Sequence, residues 1–146
     1  MLIDTTLCIG CYACEEADAE RWGNPVSEKH ILSSKLNTAV LQFEETNVPR
    51  MCMHCAVPTC ASVCPVGAFE KTQSGAVVYD ADKCMGCRYC MQACPFDVPK
   101  YQWDSVNPKV TKCDLCHERV EKGGKPACVE ACPTGARMFG KWDELI

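Results

Sequence analysis

Fifteen cysteines in a chain of 146 residues fall into four groups, and their spacing is where its chemistry begins. The first group is Cys8-x2-Cys11-x2-Cys14, with Asp18 at the next fourth position. The second is Cys52-x2-Cys55-x4-Cys60-x3-Cys64-Pro65 and the third Cys84-x2-Cys87-x2-Cys90-x3-Cys94-Pro95. The fourth is Cys113-x2-Cys116-x11-Cys128-x3-Cys132-Pro133. Thiols at this density serve disulfides or metal. The odd count, the repeated Cys-x2-Cys step and an N-terminus without a secretory pattern argue against a disulfide framework.

The third group is the run that wraps three corners of a 4Fe–4S cube and sends its last cysteine to a second cube. Its tight loop turns backbone N–H groups toward sulfide and thiolate. Zinc accepts separated Cys-x2-Cys pairs. The shared Cys-x3-Cys-Pro endings of the last three groups, however, ask for one explanation, and the cubane supplies it. Crossed ligation then gives four quartets. Cys52, Cys55, Cys60 and Cys94 form one, and Cys64, Cys84, Cys87 and Cys90 its partner. Cys8, Cys11, Cys14 and Cys132 form a third, leaving Cys113, Cys116 and Cys128 to be completed from the first group. Asp18 occupies that slot, although Glu15, Glu16 and Glu20 lie close by. A carboxylate is a harder ligand than thiolate. The spacing therefore leaves open a three-iron cluster at that corner, or a cubane capped by water or another acid.

Elements that would position these ligands are short. Strands are expected at Leu2–Asp4, Thr38–Phe43 and Ala76–Tyr79, each ahead of a ligand group. Helices are expected at Thr59–Cys64, Arg88–Cys94 and Ala127–Cys132, where a Cys-x3-Cys step sets two ligands on nearly one face. The following proline stops each helix. Val66-Gly67-Ala68 and Thr134-Gly135-Ala136 read as matching turns leading into strands at Phe69 and Met138-Phe139. Gln73-Ser74-Gly75 reads as a hairpin turn. The fold class is thus α+β, with two nested bacterial-ferredoxin-like modules. Residues 52–99 make the inner module, and 1–51 with 100–146 the outer one.

The formal charge is −4. Four oxidised cores on fifteen thiolates would bring it to about −11, which disfavours nucleic acid, and no basic stripe with aromatics argues otherwise. No run approaches the ~20 apolar residues of a membrane span. A cytoplasmic protein without membrane insertion is expected. His54 and His117 sit in loops whose ligand positions are filled, so they read as hydrogen-bonding or exposed residues. Lys83 and Lys112 read as ordinary solvated lysines that could also raise a nearby potential. Trp22, Trp103 and Trp142 are expected to pack around clusters or at a subunit interface. No Ser/His/Asp set, phosphate loop or flavin fingerprint is present, so no catalytic residue is assigned.

The run Cys84 to Pro99 and the segment Lys112-Cys113-Asp114-Leu115-Cys116 resemble the four-cluster ferredoxin-like subunits of molybdenum and tungsten oxidoreductases. These include beta subunits of formate dehydrogenases and dimethyl sulfoxide reductase relatives, and small subunits of tungsten aldehyde oxidoreductase complexes. The resemblance covers the whole chain. It implies a non-catalytic electron-transfer subunit between a Mo- or W-cofactor catalytic subunit and a second redox partner, such as a flavoprotein subunit or ferredoxin. Self-association into a longer conducting chain is a further expected contact. The family's first group ends in cysteine where this chain has Asp18. Formate dehydrogenase beta subunits also carry a C-terminal membrane helix, whereas this sequence ends at Ile146, which leans toward the aldehyde oxidoreductase kind. A diffusible polyferredoxin and an iron or redox sensor are the rival readings.

Overall fold

Four two-stranded antiparallel sheets and six short helices make up the computed structural model, which describes residues 1–146. Strand β1 (Leu2–Ile3) pairs antiparallel with β8 (Arg137–Met138), so the two ends of the sequence meet. β2 (Ala39–Gln42) pairs with β3 (Asn47–Arg50), and β4 (Phe69–Lys71) with β5 (Val77–Tyr79). β6 (Lys100–Tyr101) pairs with β7 (Val110–Thr111). The helices are α1 (Ala13–Trp22), α2 (Thr59–Ser62), α3 (Tyr89–Ala93), α4 (His117–Glu121), α5 (Ala127–Glu130) and α6 (Trp142–Leu145).

The expected strands and Cys-x3-Cys helices form, with helices shorter by one or two residues at their ends. Gly75, at φ +88°, closes the turn between β4 and β5, a conformation that glycine adopts without steric cost. Helix α1 is longer than its counterparts for a sequence reason. Cys64, Cys94 and Cys132 are each followed by proline, which cannot extend a helix. Ala19 follows Asp18, and the helix runs on to a left-handed Gly23 cap.

A repeated backbone turn matters more than the hairpins. The residue before the second cysteine of every group has positive φ: Gly10, His54, Gly86 and Leu115. That turn brings the N–H of Gly86 to 3.3 Å from Cys84 Sγ, and the N–H of Leu115 to 3.3 Å from Cys113 Sγ. At Gly10 a Cβ would also lie 2.7 Å from Asn47 Oδ1, so that side chain would have to shift to admit one. The three Cys-Pro turns repeat as well, with Gly67, Asp97 and Gly135 left-handed in equivalent places.

The apolar interior is small and divided. Only 29 of 146 residues are buried, and they gather in separate clusters that contain the cysteines themselves. Cys90, Phe69 and Val77 head one cluster, Cys113, Met51 and Leu115 another, and Cys14, Val40 and Cys128 the third. α1 packs on α5, and α2 on α3. The first cysteine group therefore lies against the fourth, and the second against the third.

Candidate metal centre

All fifteen cysteines are free thiols, and the structure gathers them in sets. Cys8, Cys11, Cys14 and Cys132 line one cavity of about 300 Å³, bounded also by Tyr12 and Arg137. Asp18, Cys113, Cys116 and Cys128 line a second of about 320 Å³. Cys52, Cys55, Cys60 and Cys94 line a third of about 360 Å³. In the remaining set, the Cys90 thiol feels Cys84 and Cys87, and Cys64 packs against the same apolar cluster as Cys90. No three Cys, His, Asp or Glu side chains draw together as one metal ion requires. The donors are instead spread around spaces wide enough for a multi-atom core.

The donor chemistry fits that core. Burial pushes the Cys14 and Cys90 thiols up to about 11 and holds Cys60, Cys113, Cys116 and Cys128 above the ordinary range. These thiols become thiolates only when a metal takes the place of the proton. Backbone donors already face several sulfurs. Beyond the two loop contacts above, Ala68 N–H lies 3.3 Å from Cys64 Sγ and Ala127 N–H 3.3 Å from Cys116 Sγ. At Cys84, burial raises the pKa, but the Tyr79 hydroxyl, two backbone N–H groups and Lys109 outweigh it and bring the thiol below its usual range. The buried Tyr79 hydroxyl has no nitrogen or oxygen partner.

Asp18 is placed by two anchors. It is 8% exposed, and its Oδ2 accepts the Asn37 N–H at 2.7 Å. Burial lifts its pKa to about 6 against the opposing pull of Asn37, Arg21, Thr38 and Trp22. One turn on, Arg21 pairs with Asp114 at 2.6 Å. The helix carrying Asp18 is thereby tied to the Cys113–Cys116 loop. The neighbouring acids face elsewhere. Glu16 and Glu20 are exposed, while Glu15 is buried and accepts the Val40 N–H at 2.6 Å and His30 Nδ1 at 2.8 Å.

Neither His54 nor His117 lines the three cavities described above. His54 Nδ1 accepts the Val77 N–H at 2.9 Å, and burial holds its pKa down near 3. His117 Nε2 lies 3.3 Å from Glu121. One expectation needs correction. Lys83 is exposed beside Asp80 as expected, but Lys112 is buried, and its ammonium donates to the carbonyls of Val77 and Cys113. Trp22, Trp103 and Trp142 are exposed, which leaves the subunit-interface alternative standing, and Trp22 reaches the Asp18 carboxylate. The sequence reading missed buried Arg137, whose only sequence signal was a charge next to a turn and strand.

A family model described as a 4Fe-4S dicluster domain matches residues 43–142. The protein is 41% identical over 172 aligned positions to the hydrogenase-2 operon protein HybA of Escherichia coli O157:H7, across all of its own length and 52% of that relative. It thus spans about half the length of that curated relative. It is 40% identical over 156 positions to the B subunit of the anaerobic dimethyl sulfoxide reductase of Escherichia coli K12, across 98% of its own length and 73% of that subunit. The Haemophilus influenzae B subunit is likewise 40% identical, across 97% and 73%. No helix is long and apolar enough to cross a membrane. With its cysteines so arranged and its sequence so matched, the protein belongs to the 4Fe–4S dicluster family, alongside the B subunit of dimethyl sulfoxide reductase.

Proposed function

We propose that this chain is the electron-conducting subunit of a Mo- or W-cofactor oxidoreductase, holding four clusters in a row. A bound 4Fe–4S core takes up and returns one electron without bond rearrangement. The chain's own residues hold the cores, order them and shield them from water. The ligand sets are those of the four quartets, with Asp18 as the single non-cysteine ligand.

One observation carries the reading: each apolar cluster joins two quartets. Cys14 and Cys128 share one cluster, Cys113 packs with Cys52 in the next, and Cys90 with Cys60 and Cys64 in the third. The resulting order runs from the Cys8 quartet through those of Asp18 and Cys52 to that of Cys84. The two nested modules follow from the same pairing, because β4–β5 and α2–α3 lie within 52–99 while β1–β8 and α1–α5 join the flanks. Both ends of the row present apolar side chains to solvent. Leu7 and Ile9 precede exposed Cys11 at one end, and Met85 and Tyr89 lie at the other. Exposed apolar surface of this kind marks partner contacts. It supports a catalytic partner at one end and a second redox partner at the other, rather than a freely diffusing carrier.

Anaerobic purification of the native complex tests this directly. The chain should contain about sixteen irons and as many sulfides, and should co-purify with a protein containing molybdenum or tungsten. Two clusters per fully loaded chain, stoichiometric zinc, or a chain isolated from native cells without any partner would overturn it.

A further inference from the structure

The fold buries two cations and pairs neither with a carboxylate. Arg137 is 2% exposed and Lys112 is 4% exposed, and the protein's ion pairs all belong to other residues. Arg137 donates to Thr38 Oγ1 at 2.5 Å and to Met51 Sδ at 3.2 Å, two neutral acceptors. Lys112 donates only to backbone carbonyls. A buried charge with no counter-charge is strongly destabilising, and apolar side chains of similar volume would fill such sites better. A negative charge must therefore face these two cations in the working protein.

Their positions identify it. Arg137 lines the cavity of the Cys8 quartet, and its acceptors Thr38 and Met51 line that of the Asp18 quartet, so it stands between the two. Lys112 donates to the carbonyl of Cys113, a member of the Asp18 quartet, and lines the cavity of the Cys52 quartet. It stands between the second and third quartets. The gap between the third and fourth is different, filled by Ala68, Phe69, Val77 and Val110 with no buried cation.

We infer that Arg137 and Lys112 are fixed positive charges set between successive clusters, holding up the reduction potentials of the clusters on either side. The inference rests on the four-cluster reading above. A cubane held by anionic ligands is itself an anion, and reduction adds a further negative charge. A cation across a low-dielectric gap stabilises the reduced form more than the oxidised one. Only the Asp18 cluster would have a cation on both sides.

The test is a spectroscopically monitored redox titration of the anaerobic holoprotein. Arg137→Gln should lower the potentials of the Cys8 and Asp18 clusters, changing their reduced-to-oxidised ratio at fixed potential by roughly tenfold. Lys112→Gln should lower those of the Asp18 and Cys52 clusters by a similar factor. The two patterns should overlap at the Asp18 cluster alone, and the Cys84 cluster should move in neither. Arg137→Lys and Lys112→Arg should remain near wild type. Unmoved potentials, an equal shift of all four, or charge-conserving variants that behave like the glutamines would overturn the inference. Should Arg137→Gln load no clusters, Lys112→Gln decides alone. An iron content far below four cubanes in the wild type would instead defeat the four-cluster reading, so the two failures are distinguishable.

Discussion

At the scale of single residues, Asp18 is the position where this chain departs from its own repeat. Cys14, Cys60, Cys90 and Cys128 each lead, four residues on, to a ligand slot, and three of those slots hold cysteine. Helix geometry turns position 18 toward the same cavity as Cys113, Cys116 and Cys128, so side-chain length and hardness are what change. Carboxylate matches iron in a sulfide-rich core less well than thiolate does. One cluster of the four should therefore lose a single iron first under mild oxidation. Asp18→Cys should suppress that loss and shift the potential of that cluster only, while Asp18→Ala should favour the three-iron form. Electron paramagnetic resonance before and after oxidation checks all three proteins. Identical spectra and oxidation behaviour in wild type and Asp18→Ala would make Asp18 a structural acid that merely receives the Asn37 N–H.

At the scale of elements, the cysteine spacing made legible every element that carries a Cys-x3-Cys step. The step requires a helical turn and the proline requires its end, whatever the rest of the fold does. The strands at Phe69, Val77 and Arg137 were legible for the same reason, since they follow or precede those turns. Hairpin β6–β7 and strand β3 were not. β7 is two residues long, and β3 contains Pro49, which removes a donor and weakens any strand pattern. The left-handed turns at His54 and Leu115 also left no trace, because neither residue advertises positive φ as Gly10 and Gly86 do. The burial of Lys112 is set by what packs around it from β5, so no local reading reaches it. The pairing of α2 with α3 makes a prediction about crossing. Cys94→Ala should damage the cluster of Cys52, Cys55 and Cys60 while sparing that of Cys84, Cys87 and Cys90. Cluster-resolved spectroscopy showing the reverse damage would overturn the crossed assignment.

At the scale of the whole molecule, the ligands are as much a part of the interior as the side chains. The largest apolar cluster has only five buried members, one of them a cysteine. Interiors this small do not hold a polypeptide folded by apolar burial alone. Two unpaired buried cations oppose folding further when no core is bound. Anaerobic removal of iron by a chelator should therefore abolish the far-ultraviolet circular dichroism of the hairpins and helices, along with any cooperative thermal transition. An iron-free protein that keeps its secondary structure and melts cooperatively would show that the polypeptide holds its own shape.

The meeting of β1 with β8 also imposes a timetable on synthesis. A ribosome delivers residues in order, at ~5–20 per second. On the proposed ligand sets, the inner two quartets are complete once Cys94 has emerged. Cys8, Cys11 and Cys14 appear first of all, yet wait for Cys132, a delay of roughly 6–25 s at that pace. Until then they are three exposed thiols on a nascent polypeptide, open to oxidants and to stray metal. The molecule is thus built from the middle outward, and a chain released after about residue 100 would hold two finished clusters and one unfinished claw.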